Sequence, residues 1–142
     1  MEKVVLMSTT HGPRKRLHIG EDVCYDVQHS ITAVLNSGHV RIGDECTLGY
    51  GIKFLCGWHD YTLKGKRRHA CPQEGFDIRV HRGVWIASYV IIIGPVEIGE
   101  DAVIGAGSVV LPGKIPAGEL WAGNPARKIK DIKFKEASDG RG

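Results

Sequence analysis

Long hydrophobic runs are missing from this 142-residue sequence. The longest, Val84 to Val96, counts 13 residues and includes Ser88, Gly94 and Pro95, against the roughly 20 apolar residues a membrane-spanning helix needs. The N-terminal MEKVVLMSTTHGPRKR has four apolar residues in a row, Val4 to Met7, too few for the apolar stretch of a secretory signal. Paired cysteine motifs are also missing. Cys24, Cys46, Cys56 and Cys71 stand at spacings of 22, 10 and 15 with no CxxC, which fits neither a zinc signature nor a dense disulfide framework. The expected compartment is therefore the cytoplasm. Charge of one sign is scarce as well: a net +3 is too mild to argue for a nucleic-acid partner.

What the sequence has in excess is glycine, 19 residues of 142, without a Gly-X-Y period. Such a chain turns often or brings backbones close together, because glycine tolerates positive φ and close approach. With 42% hydrophobic and 25% charged residues, it has the composition of one globular domain.

A repeat organises the second half. Aliphatic residues recur every six positions at Val80, Ile86, Ile92, Ile98, Ile104 and Val110. Four residues after each of the first five stands a small or β-branched residue: Val84, Val90, Val96, Ala102 and Ser108. Gly99 and Gly105 follow their aliphatics directly, in I-G-E-D-A-V and I-G-A-G-S-V. A period of six is neither the 3.6 of a helix nor simple strand alternation. It fits a coil of three short strands joined by tight turns, one hexapeptide per strand, which is the sequence pattern of a parallel β-helix.

Weaker copies lie upstream. Ile42, Leu48 and Phe54 keep the step, with Cys46, Ile52 and Trp58 four residues on, and Ile19, Tyr25 and Ile31 form an earlier set. A register break is expected near Asn36–Arg41. Residues 60–77, DYTLKGKRRHACPQEGFD, break the period and read as a loop thrown out from one corner, the kind of segment that carries function on a rigid scaffold. After Val110, LPGKIPAG is turn chemistry. Asn124 and Pro125 read as the N-cap and first residue of a helix, with Ala126, Ile129 and Ile132 along one face. The expected single domain thus has an N-terminal arm (1–18), a β-helix of about four coils (19–115) and a C-terminal turn, short helix and frayed tail (116–142).

The segment VEIGEDAVIGAGSVVLPGKIPAGELWAGNPARKIK resembles the C-terminal half of hexapeptide-repeat acetyltransferases. LCGWHDY, a loop, then VHRGVWIAS are similar to the subgroup acetylating sugars, nearest the colanic-acid type, whose members carry histidine in an H-D-Y context. The resemblance runs from about Ile19 to Lys130. It implies that the β-helix is left-handed, that the donor is acetyl-CoA, that the acceptor is a sugar or polysaccharide hydroxyl, and that the chain works as a homotrimer with sites between subunits. LPGKIP departs from the family's T-K-D-I-P turn and is one residue longer. The helical N-terminal segment of maltose-type enzymes has no counterpart in these residues.

A sugar hydroxyl is a poor nucleophile near neutral pH, so a positioned base must take its proton. An imidazole suits that task, with an unperturbed pKa near ~6.5. The resemblance gives that role to His59, with direct attack and no acyl-enzyme; on its residues alone His59 also fits a turn histidine bonded to a carbonyl. The imidazole needs an acceptor on its other nitrogen. Asp60 and Asp26 are the candidates, and each equally suits a solvated turn.

The resemblance places Trp85 beside the reactive end of coenzyme A, where a bare reading gives a packing tryptophan. Ser88, or its N–H, falls where the thioester carbonyl is met and an oxyanion develops. Ala106 and Gly107 leave room for the pantetheine arm, or form a plain corner. Arg127 and Lys130 match positions that reach the nucleotide phosphates, or form a solvated face.

Two other readings come from different classes. Gamma-class carbonic anhydrases share the fold and bind metal through three histidines, two of them five apart. Here the gaps His29–His39, His59–His69 and His69–His81 are 10, 10 and 12, so no metal site is expected. A non-catalytic β-helix serving as an assembly module is the other. The basic run Lys64 to His69 suits a solvated loop face or a contact to an anionic acceptor. Cys46 and Cys56 read as small buried residues.

Overall fold

Residues 9–137 are described by the computed structural model. They hold sixteen short strands, and the first fifteen follow a three-strand cycle. The first turn is β1 (Thr9–His11), β2 (Leu17–Ile19) and β3 (Cys24–Tyr25); the second is β4 (Thr32–Val34), β5 (Val40–Ile42) and β6 (Thr47–Leu48). The third is β7 (Lys53–Leu55), β8 (Ile78–Val80) and β9 (Trp85–Ile86). The fourth is β10 (Ile91–Ile93), β11 (Val96–Ile98) and β12 (Val103–Ile104), and the fifth is β13 (Val109–Val110), β14 (Gly113–Ile115) and β15 (Glu119–Gly123). Every third strand stacks in parallel, giving three sheets of five rungs. The fold is a parallel β-helix.

The six-residue step explains the core. A residue four after one aliphatic is two before the next, so both lie on the same, inward face of one strand. Register then stacks like on like: Ile42, Val80, Ile98 and Ile115 form one column, and Phe54, Ile92 and Val110 another. All repeat residues from Val80 to Val110, and the small residues between them, are buried. Each such aliphatic contributes roughly 1.5–3 kcal/mol by leaving water. Ser108 is the polar member of its column. It is satisfied by donating to Gly105 O (2.6 Å) and accepting from the Gly123 N–H (3.0 Å), as a buried hydroxyl requires. Cys46 and Cys56 are fully buried, as expected.

The structure corrects four expectations. The helix has five rungs rather than about four, because Thr9–His11 and the strand Leu17–Ile19, which begins two residues inside the expected N-terminal arm, are already strands. Ala33, not Ile31, pairs with Phe54, and Ile31 falls in the column of Ile52 instead. The step from Tyr25 to Ala33 is therefore eight residues, and a first irregularity precedes the one expected near Asn36–Arg41. Trp58 leaves the scaffold altogether and is 47% exposed.

The fourth correction is the C-terminal helix, which is absent. Residues 126–131 form strand β16 (Ala126–Asp131), which turns back at Asn124-Pro125 and runs antiparallel to β15. Of the three residues expected along a helical face, Ala126 is buried but Ile129 is 58% exposed, so no apolar stripe exists to hold a helix down. The unpaired edge of β15 takes β16 instead, and Lys128 bridges Glu119 (3.1 Å) and Asp131 (2.9 Å). The first eight residues of the expected arm and residues 138–142 of the expected tail lie outside the described residues. No helix among the described residues is long and apolar enough to cross a membrane.

Candidate functional site

The loop leaves the scaffold after β7 and returns at β8, between the first and second sheets. Its two limbs face each other. Trp58, His59, Asp60 and Tyr61 on the outgoing limb and Ala70, Cys71, Pro72 and Phe76 on the returning limb line an open groove of about 450 Å³. Gly57 makes the exit possible. Its φ is +138°, and a Cβ there would lie 2.7 Å from Ser37 Oγ, so only glycine passes this point without strain. The returning limb is pinned. Ser37 Oγ donates to the Pro72 carbonyl, the Phe76 N–H donates to Ser37 O (3.1 Å), and Arg16 reaches Gln73 O (3.2 Å) as well as Asn36 O (3.2 Å).

His59 is exposed in this groove. Its Nδ1 lies 3.6 Å from Cys71 Sγ, across the gap between the limbs. Within this chain neither carboxylate expected to orient it is bonded to its ring among the described residues. Asp60 turns to its own chain, accepting from Thr62 Oγ1 (2.7 Å) and Thr62 N (2.9 Å). Those two bonds hold its carboxyl below the usual carboxylate range. Asp26 sits at another corner, past β3, where its N–H continues the third sheet to Leu48 O (2.9 Å).

The residues expected to bind coenzyme A are distributed over the third sheet and its corner with the first. Trp85, Val103, Leu120 and Lys130 are register neighbours across four strands. Trp85 is 48% exposed, so it is no core residue of this chain. Ser88 lies at the adjoining corner, where its Oγ accepts from the Tyr50 N–H (3.0 Å) and its carbonyl accepts from Gly107 N (2.9 Å) one rung on. Ala106 and Gly107 are exposed. Gly107, at φ +72°, has open space where a side chain would stand. Arg127 pairs with Ala122 in the hairpin and lines a cleft with Leu111, Lys114 and Trp121. Within one chain this stripe and His59 are at different corners.

Two further groups of charges have other partners. In the basic loop, a 3-10 turn over Gly65–His69, Arg68 points back to the carbonyls of Tyr61 (3.2 Å) and Leu63. The outer face of the second sheet carries His18, Arg41, Arg79, Glu97 and Lys114 in one column. Arg41 meets Asp77 (3.5 Å) and His81 meets Glu97 (3.0 Å). His18 stacks on His39 with ring centres 5.3 Å apart. Burial, then Arg41 and His39, lower its pKa. Among the described residues no three metal-ligating side chains converge.

Cys71 is the site residue that sequence reasoning missed. It is separated from His59 by 12 positions and a loop with no repeat, so no periodic signal marks it.

Residues 77–112 match the family described as bacterial transferase hexapeptide (six repeats). The galactoside O-acetyltransferase of Escherichia coli is 30% identical over 84% of this chain and 56% of its own length. The solved hexapeptide-repeat acetyltransferase of Vibrio cholerae superposes with a TM-score of 0.73 at 25% identity, covering 90% of this chain and 73% of that one. A galactoside acetyltransferase solved in complex with coenzyme A gives a TM-score of 0.59 at 28% identity, over 88% and 60%. The chain spans about half the length of the curated relatives it matches. The helix is left-handed like its structural neighbours. In its repeat, its three-sheet helix and its relatives, the chain is similar to the hexapeptide-repeat transferases.

Proposed function

We propose that this protein moves an acetyl group from acetyl-CoA to a hydroxyl of a sugar or polysaccharide intermediate, with His59 as general base. The observation that carries the reading is the placement of His59. Its ring stands in an open groove that Trp58 and Tyr61 also line, with Nδ1 engaged by Cys71 and no partner at Nε2 among the described residues. An imidazole held by one nitrogen and free at the other is arranged to accept a proton from a bound hydroxyl. Aromatic walls suit the apolar faces of a pyranose.

The stripe from Trp85 to Lys130 has the character a coenzyme A site needs. It offers an exposed indole, space at Gly107 for a slender chain, and cations at Arg127 and Lys130 for phosphates. Acetyl-CoA brings the thioester carbon that the acceptor oxygen attacks. His59 Nε2 takes the hydroxyl proton as that C–O bond forms; the C–S bond then breaks and the imidazolium returns the proton to the departing coenzyme A thiolate, while Ser88 is assigned the carbonyl oxygen that gains charge.

Since one chain holds the base and the stripe at different corners, the proposed enzyme is a homotrimer in which His59 of one copy meets the stripe of the next. The outer face of the first sheet supports this assembly. Val34, Leu55, Ile91, Ile93 and Val109 are only half-buried there and Leu111 is 47% exposed, an apolar surface that monomers seldom leave open. The reading places the protein in the cytoplasm, where acetyl-CoA is made available.

The test is coenzyme A release, followed by thiol titration across a panel of sugars and amino sugars, with His59→Ala in parallel. Release that depends on an acceptor and falls about 10²- to 10⁴-fold in the variant is expected. Acceptor-dependent release that survives His59→Ala unchanged removes the base assignment.

A further inference from the structure

We propose that Cys71 is the positioning residue for His59, fixing both the orientation and the tautomer of its imidazole. The inference rests on the reading of His59 as base and goes beyond it, because both carboxylates expected for this task are engaged or placed elsewhere. Asp60 is taken by Thr62 and Asp26 lies at another corner of the prism.

Three observations converge on the thiol. First, Cys71 Sγ is the partner of the His59 ring among the described residues, at 3.6 Å from Nδ1. Second, the segment that carries Cys71 is fixed to the helix rather than hanging free. The next residue, Pro72, receives the Ser37 hydroxyl through its carbonyl, and Gln73 receives Arg16 in the same way. Ser37 is itself 1% exposed, so the anchor belongs to the core of the scaffold.

Third, the thiol has its own acceptor. Cys71 Sγ lies 3.7 Å from the His69 carbonyl oxygen, and a thiol carries one proton. Given to His69 O, that proton leaves the sulfur lone pairs facing Nδ1, so the ring hydrogen sits on Nδ1 and is donated to sulfur. Nε2 is then unprotonated and able to accept. The opposite arrangement, S–H to Nδ1, places the ring hydrogen on Nε2 and disables the base. The His69 carbonyl thus selects the productive tautomer through Cys71. Sulfur is a weaker acceptor than a carboxylate, so it orients the imidazole without raising its basicity as an aspartate does.

The experiment pairs kinetics with a direct reading of the ring. Cys71→Ala is expected to lower kcat on the order of tenfold or more, in the range seen when the partner of a functional histidine is removed, with KM for acetyl-CoA within about twofold. Cys71→Ser, whose hydroxyl can make the same two bonds, is expected to recover part of the loss. In nitrogen-15 spectra of the ring, wild-type His59 is expected to carry its hydrogen on Nδ1, and Cys71→Ala to shift it toward Nε2. A Cys71→Ala protein with unchanged kcat and an unchanged ring tautomer overturns the proposal. The ring spectra do not depend on turnover. If His59→Ala leaves acetyl transfer intact, the base assignment falls, whereas a tautomer that ignores Cys71 sinks the positioning role alone.

Discussion

The hydroxyl of Ser37, buried in the second rung, donates to the carbonyl of Pro72 in the returning limb of the loop. One core residue thereby sets how far apart the limbs of the groove stand. Ser37→Ala leaves that carbonyl without its donor. The expected cost is about 1–2 kcal/mol in urea unfolding, together with a lower kcat that tracks the loss of the Cys71 side of the groove. A variant equal to wild type in both measurements shows that the limb holds its place without Ser37.

Phe54 stands in the middle of its column, between Ala33 and Ile92, just before the chain leaves for the loop, and it is fully buried. Phe54→Ala opens a cavity where the flanking rungs cannot close in, since each is held by its own backbone ladder. A loss of roughly 3–5 kcal/mol is expected, read from the urea midpoint.

Burial, with the charge of Asp77 adding to it, pushes the Cys56 thiol from 9.0 up to about 12. The fold thus favours the neutral thiol. The contribution is fully present below pH 9, where the unfolded chain also keeps the proton, and is lost as pH rises toward 12 and the unfolded chain ionises first. The urea midpoint should therefore fall between pH 9 and 11, and fall less steeply in Cys56→Ala. Equal slopes in the two proteins count against this account.

Arg127 belongs to the stripe proposed for coenzyme A. Arg127→Ala is expected to raise KM for acetyl-CoA several-fold with kcat nearly constant. The difference should shrink at about 0.5 M salt, where exposed charge pairs are screened. A change confined to kcat would place Arg127 in the chemistry instead of in binding.

Thiol reagents offer an independent probe of the groove. Cys24 and Cys71 are exposed whereas Cys46 and Cys56 are buried. In a Cys24→Ser background, iodoacetamide is expected to abolish acetyl transfer, and the further change Cys71→Ser should confer resistance. Inactivation that persists after both changes assigns the effect to another group.

Much of this molecule was readable before any coordinates. From Val80 to Val110 an uninterrupted step of six reports every inward position, because each strand together with its turn spans six residues and burial acts on the same two places in each. The reading weakened where the step changed. The eight residues from Tyr25 to Ala33 shifted Ile31 into another column, and Thr9–His11 carry no aliphatic to announce a strand. At the C-terminus, Asn124-Pro125 has the composition of a helix start, yet the edge of β15 takes a strand partner there, a tertiary demand no local signal expresses. For the site, the motif around His59 marked the loop. Its partner could not be read, since Cys71 meets His59 only through the path of the returning limb.

Stacked parallel rungs have no inherent length, and a sixth could follow a fifth on the same terms, or another molecule could supply it. Strand β16 ends that possibility on the third sheet. By running antiparallel on β15 it replaces the template for the next rung with a surface of Lys128, Lys130 and Arg127. A parallel rung added along the sheet that bears Trp85 meets this antiparallel strand in place of β15, and Arg127 and Lys130, unlike the ion-paired Lys128, are left facing any phosphate that approaches it.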